Sequence, residues 1–226
     1  MALLYHDPLS PSCRIARLAL AEKSIDVSLR DLRDVEHRED VLALNPAGEG
    51  PILVGEEGAS VAGALPIAEY LEEIVPAPAL LPGDPLQRAE IRRLVEWFGR
   101  KFADEVSTCL LYEKVSRRIL GARDGGGPPD MGVVRAALHN VRYHLDYISY
   151  LMEIRSWLAG EELSLADLVA SAHLSCLDYV GDVPWAQYPA AKEWYVRLKS
   201  RPSFRPLLAD HIPGMPPPRA YANLDF

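Results

Sequence analysis

Cysteine is scarce in this 226-residue chain, and the little there is forms no pattern. Cys13, Cys109 and Cys176 are odd in number and far apart, with no CxxC and no Cys/His cluster, which argues against a disulfide framework and against a zinc site. The histidines (His6, His37, His139, His144, His173 and His211) lack metal spacing as well. His139 and His144 are five residues apart, so they sit roughly 140° apart around a helix and share no ligand face. Long apolar runs are also missing. Nothing approaches the ~18 consecutive apolar residues of a membrane-spanning helix, and MALLYHDP offers no basic segment followed by an apolar stretch of signal type. The expected setting is the cytoplasm, without membrane insertion.

Positive charge is in deficit: 24 Lys and Arg stand against 32 Asp and Glu, a net charge of −8. The deficit lies in residues 1–80, which hold 6 basic and 14 acidic side chains, while the remainder holds 18 of each. That split predicts two domains with different surfaces and argues against nucleic acid as a partner of the first. At 49% hydrophobic and 25% charged, the composition is that of a soluble globular protein.

What is present reads in order along the chain. LLYHD is a short apolar strand. It runs into Ser10-Pro11, a helix start in which the hydroxyl caps and the ring presets the first helical φ. IDVSLRDL alternates with period two and reads as a half-buried strand. VEHREDVLALNP is a charged helix or loop closed by Asn45-Pro46, PILVGEEGASVAG is a hairpin, and ALPIAEYLEEIV is a second amphipathic helix. PAPALLPGDP then places four prolines in ten residues, which no helix continues through, and marks a boundary. Beyond it the spacing predicts helices over 85–120, 133–158, 164–180 and 188–199, with Ser164-Leu165-Ala166-Asp167 as a capping sequence. The organisation predicted is an α/β domain over 1–77, a proline-rich linker over 78–85, an all-α domain over 86–209 and a Pro-rich tail over 210–226. That tail ends in Tyr221, Leu224 and Phe226, large apolar groups that solvent does not favour unless something buries them.

Ser10-Pro11 opening a helix that ends RLALAEK, then NPAGEGPIL, IAEYLEE, the proline linker and LSLAD together resemble the glutathione S-transferase superfamily over residues 3–208. The resemblance implies a thioredoxin-like first domain, a helical second domain and a homodimer. It also assigns positions to the glutathione site. Ser10 falls where serine-type members hold the hydroxyl that stabilises the thiolate, a place where a helix N-terminus favours anionic sulfur. Pro51 matches the proline that is cis in the family. Either residue could equally be kept for the fold alone, Ser10 as a cap and Pro51 as a turn. Cys13 is a competing thiol near the same helix start, or a core residue.

The other positions depart from the family pattern. Glu49 stands where members place Lys or Gln against the glycyl carboxylate, and Gly50 stands where valine is usual. Gly63 and Ala64 replace the acidic and hydroxyl pair that grips the γ-glutamyl ends. A hydrogen bond to a charged group contributes about 1.5–3 kcal/mol, so two missing contacts remove about 3–6 kcal/mol, a hundredfold to ten-thousandfold in affinity. The expectation is a degenerate glutathione site, no bound cofactor and no catalysis. The alternative is a glutathione-dependent transferase using Ser10.

A function outside that cleft is then expected, and the tail DHIPGMPPPRAYANLDF resembles the non-catalytic FzlA branch of the superfamily in alphaproteobacteria. Those proteins bind the tubulin-like division protein FtsZ and affect filament curvature and constriction. On that resemblance FtsZ is the expected partner, with Tyr221, Leu224 and Phe226 as apolar anchors, Asn223 as a hydrogen-bonding group and Asp225 as a negative charge. The other reading of the tail is that it folds back and closes the helical core. Glu36, His37 and Arg38 form a second possible contact beside the vacated cleft. Basic residues at 88–101 and 114–123 are either a solvated face or a cationic surface for an acidic protein. A dimer carrying two such surfaces would gain effective concentration on a polymer.

Overall fold

The computed structural model describes residues 2–34 and 38–224, the side chain of Ala122 excepted. It divides into two compact units, Met1–Leu81 with Arg201–Pro216, and Pro82–Ser200 with Pro217–Phe226.

In the first unit, β1 (Ala2–His6), α1 (Pro11–Glu22), β2 (Val27–Asp31), α2 (Arg38–Leu44), β3 (Ile52–Val54), β4 (Ser60–Ala62) and α3 (Ala64–Ile74) follow in order. The sheet runs β2-β1-β3-β4; β1 pairs parallel with β2, and the β3 ladders on either side are antiparallel. This is the thioredoxin-like arrangement, with α1 and α3 packed on each other. Ser10 caps α1 as the sequence predicts, its Oγ accepting from Cys13 N at 3.4 Å with Pro11 behind it. Lys23 is fully buried at the end of α1. Its Nζ donates to Glu72 (2.6 Å) and to the carbonyls of Val75 (2.6 Å) and Pro78 (2.7 Å), while Glu72 accepts from the amides of Leu80 and Leu81. One ion pair thus ties the proline-rich segment to the sheet domain.

The second unit is helical. α4 (Pro85–Glu96) opens with a capping box of Asp84 and Gln87 and continues in wider π-helical backbone over Trp97–Ser107 and Tyr112–Ser116, with α-helical turns at Thr108–Leu111 and Arg117–Ile119. α5 (Met131–Ile154), α6 (Leu165–Tyr179) and α7 (Pro189–Lys199) follow. α5 stops four residues earlier than its apolar spacing predicts, because Trp157 and Gly160 pair across a tight turn and Arg155 is extended. Every residue of α6 is buried. No helix among the described residues is long and apolar enough to cross a membrane.

One boundary differs from the expectation. Residues 201–209, predicted as the end of the helical domain, cluster with the first unit, where they form a 3-10 turn (Pro202–Phe204) and α8 (Arg205–Leu208). Ion pairs hold the segment there, together with the buried Phe204 and Leu207. Arg201 grips Glu22 of α1 through Nε and Nη2, both at 2.7 Å, and Arg17 grips Asp210 at 2.7 and 3.0 Å. Apolar spacing reports that a segment is helical and says nothing of which unit its charges reach.

His173 on α6 is buried with its Nδ1 2.7 Å from Ser107 Oγ, and burial pushes its pKa down to about 4. It stays neutral in the folded chain while the unfolded chain binds a proton below pH ~6.5. Stability is therefore lost as pH falls from about 6.5 towards 4, by up to about 3 kcal/mol at one pH unit per 1.4 kcal/mol. Thermal melts at pH 7.5 and 5 check this: His173→Gln should show a distinctly shallower acid loss than the wild type, and equal slopes would refute it.

Candidate functional site

The positions assigned to the tripeptide site all lie in the first unit. The Gly50-Pro51 bond is cis, and Gly63 N donates to Pro51 O at 2.8 Å. The pairing of Ile52 with Ala62 on one side and Tyr5 on the other carries this junction to the end of β1, so that Gly50 sits against Tyr5 and Leu32. A Cβ at Gly50 would come within 2.2 Å of Leu32 Cδ1, which is why the usual valine has no room without moving that side chain.

The polar content of the junction is thin. Gly63 caps α3 at φ +97° with no side-chain hydrogen bond, and Ala64 is buried beside it. Glu49 points its side chain to solvent, and its carbonyl accepts from Asn45 Nδ2 at 2.7 Å. The Ser10 hydroxyl is engaged as a helix cap. Cys13 is buried, its Sγ accepts from Asp7 N at 3.2 Å, and burial pushes its pKa up to about 11. A thiol so placed carries almost no thiolate at neutral pH. Among the described residues no group of three or more His, Cys, Asp or Glu is placed to hold a metal.

Arg38 opens α2, exposed, on a cavity of about 370 Å³ lined also by Leu32, Arg33, Asp34, Val41 and Gly48. Glu36 and His37 lie outside the described residues, as do Asp225 and Phe226.

The tail from Pro217 to Leu224, in the second unit, is docked. Tyr221 is completely buried, its ring nearly perpendicular to that of Tyr179 with centroids 5.1 Å apart. Backbone bonds from Tyr221 N to Pro218 O (2.9 Å) and Asn223 N to Ala220 O (3.1 Å) curl the segment into turns. This corrects the reading of Tyr221 as a partner anchor: its ring completes the chain's own core and is closed to a partner. Asn223 is exposed, and Leu224 stays 39% exposed. Several members of the basic clusters are paired with acids: Arg93 bonds Glu90 and the Tyr147 hydroxyl, Arg117 pairs with Glu113, and Arg100, Lys101 and Lys114 pair with Glu96, Glu105 and Asp182.

Family models match both units, as the glutathione S-transferase N-terminal domain over residues 4–79 and its C-terminal domain over 130–202. The chain belongs to the glutathione S-transferase family. Within that family, it is 46% identical over 226 residues to FtsZ-localized protein A of Caulobacter vibrioides, covering 99% of this chain and 97% of that protein. The solved structure of FzlA from C. crescentus superposes with a TM-score of 0.94 at 45% identity, covering 100% of this chain and 99% of that one. A protein solved as a glutathione S-transferase of Rhodospirillum rubrum gives 0.94 at 49% identity, with both chains covered fully. The glutathione S-transferase frame is therefore common to relatives that carry different functional descriptions, and the side chains at the site must discriminate between them.

Proposed function

We propose that this chain is a non-enzymatic glutathione S-transferase relative that binds FtsZ filaments, regulates their curvature or bundling, and so acts at the cytoplasmic division site. The observation that carries the reading is the 46% identity, over 99% of the chain, to a protein named for its localisation with FtsZ. The bare junction at Gly63 and Ala64 supports it, because neither position carries a polar side-chain atom to grip an ammonium or a carboxylate. The contact is formed by the end of the tail, with Asn223, Leu224, Asp225 and Phe226 facing the partner and Glu36, His37 and Arg38 adding to it. The chain works as a homodimer, supported by the exposed stripe Tyr143, Tyr150 and Ile154 along one face of α5. Light scattering at twice the chain mass is the corresponding observation.

The experiment is co-sedimentation with polymerised FtsZ. The full chain should pellet with the polymer, and removal of residues 221–226 or Asp225→Lys should weaken the association about tenfold, as for truncation of a charged interface group. Folded variants that pellet as well as the wild type would show that the tail is not the contact.

A further inference from the structure

The tail at Asn223 rests on a lysine with a fully buried side chain. Lys199, the last residue of α7, has a side chain that is 0% exposed. Its Nζ lies 3.5 Å from Asp178 Oδ2 and donates to the backbone carbonyl of Asn223 at 3.1 Å. The same ammonium lies 5.5 Å from the ring centroid of Tyr195 and 5.8 Å from that of Tyr221. Asp178 is held in turn by Trp185 Nε1 at 2.9 Å and by the Tyr195 hydroxyl at 3.4 Å. A buried ammonium is costly unless it is paired and bonded. Here one of its partners is a main-chain carbonyl only one residue before the exposed Leu224.

We propose that Lys199 is a positioning residue for the tail: by donating to the Asn223 carbonyl beneath the Tyr221 ring, it fixes the register of residues 221–224 so that a protein partner meets a pre-ordered end. The geometry supports this in two ways. The Tyr221 ring anchors the segment to the core, and the turn bond from Asn223 N to Ala220 O holds it only to itself. The Lys199 bond falls two residues after Tyr221, on the backbone, and ties that turn to α7 whatever the side chain at 223. Ordering the end before the encounter spares the complex the entropy of ordering it afterwards. The part of the inference that concerns a partner rests on the proposed contact between the tail and FtsZ; the part that concerns the register does not.

The test uses Lys199→Met, which keeps the apolar stem against the two tyrosine rings and removes the donor. A second variant, Lys199→Met with Asp178→Asn, leaves no unpaired carboxylate behind. Hydrogen exchange of the whole chain is read first, without FtsZ. The expected result in the double variant is exchange at residues 221–224 faster by about tenfold or more, with α6 and α7 as protected as in the wild type. Exchange unchanged at 221–224 would overturn the assignment. Loosening of α6 and α7 along with the tail would also overturn it, since a lysine that merely supported the core would give that pattern. Co-sedimentation is read second, and about tenfold weaker association with FtsZ is expected. Wild-type affinity despite a loosened tail overturns the pre-ordering, whereas a wild-type chain that fails to pellet overturns the FtsZ reading and leaves the exchange result standing on its own.

Discussion

Replacing Asp167 by alanine should destabilise the helical unit by about 3–5 kcal/mol, enough to lower its melting temperature by roughly 6–20 °C. The carboxylate is fully buried and accepts four bonds. Oδ1 takes Leu158 N and Trp194 Nε1, both at 2.9 Å, and Oδ2 takes Ser164 N at 3.0 Å and Ser164 Oγ at 2.9 Å. Burial raises its pKa, and the four donors oppose that shift. Alanine leaves the Leu158 amide and the Trp194 indole buried without an acceptor, each at about 1–3 kcal/mol, and frees the start of α6. Asp167→Asn keeps the Oδ1 acceptor and loses only the Ser164 side, so about half the effect is expected. Calorimetric melts of the two variants check the order, and an alanine variant as stable as the asparagine one would show that Oδ1 carries little.

Restoring the missing polar groups should change ligand affinity as strongly. The triple variant Glu49→Gln, Gly63→Glu, Ala64→Ser puts back an amide and the acidic and hydroxyl pair of the family pattern. It should raise affinity for reduced glutathione a hundredfold to ten-thousandfold, the equivalent of about 3–6 kcal/mol. A separate cost falls on the fold. Gly63 has φ +97°, and a Cβ there meets Pro66 Cδ at 3.2 Å, so the variant should lose about 1–2 kcal/mol of stability in free and bound forms alike. The two effects are read separately, one by calorimetric titration and the other by denaturation. Unchanged affinity in a folded triple variant would show that these positions are not where the tripeptide is held.

Local chemistry was legible in the sequence wherever a short motif determines a backbone. Ser10-Pro11 starts α1, Asn45-Pro46 ends α2, and the Gly55 to Gly58 turn joins β3 to β4. At Ser164 the Asp167 carboxylate does reach back to the cap amide, while the Ser164 hydroxyl donates to that carboxylate. The π-helical stretches after Glu96 left no such mark, since the 3.6-residue apolar spacing of 85–120 continues through them.

The misread residues are those whose partner is distant in the chain. Arg17 and Asp210 are 193 residues apart, and nothing local to 201–216 says that it packs on α1. Tyr221 stayed open between a partner anchor and a core residue, because prolines precede it and no periodicity surrounds it, and Tyr179 and Lys199 supply the surroundings of its ring. Lysine is rarely buried, and nothing local to Lys199 or Lys23 marks either as a core residue; their carboxylate and carbonyl partners do. That positions 63 and 64 carry no polar side-chain atom was legible, because an absent side chain needs no partner to be noticed.

Isothermal titration of the unmodified chain with reduced glutathione tests most directly whether the frame has lost its small-molecule site. No saturable heat up to millimolar concentrations is predicted. A dissociation constant in the millimolar range or tighter, with binding or turnover lost in Ser10→Ala, would contradict the account and restore a transferase.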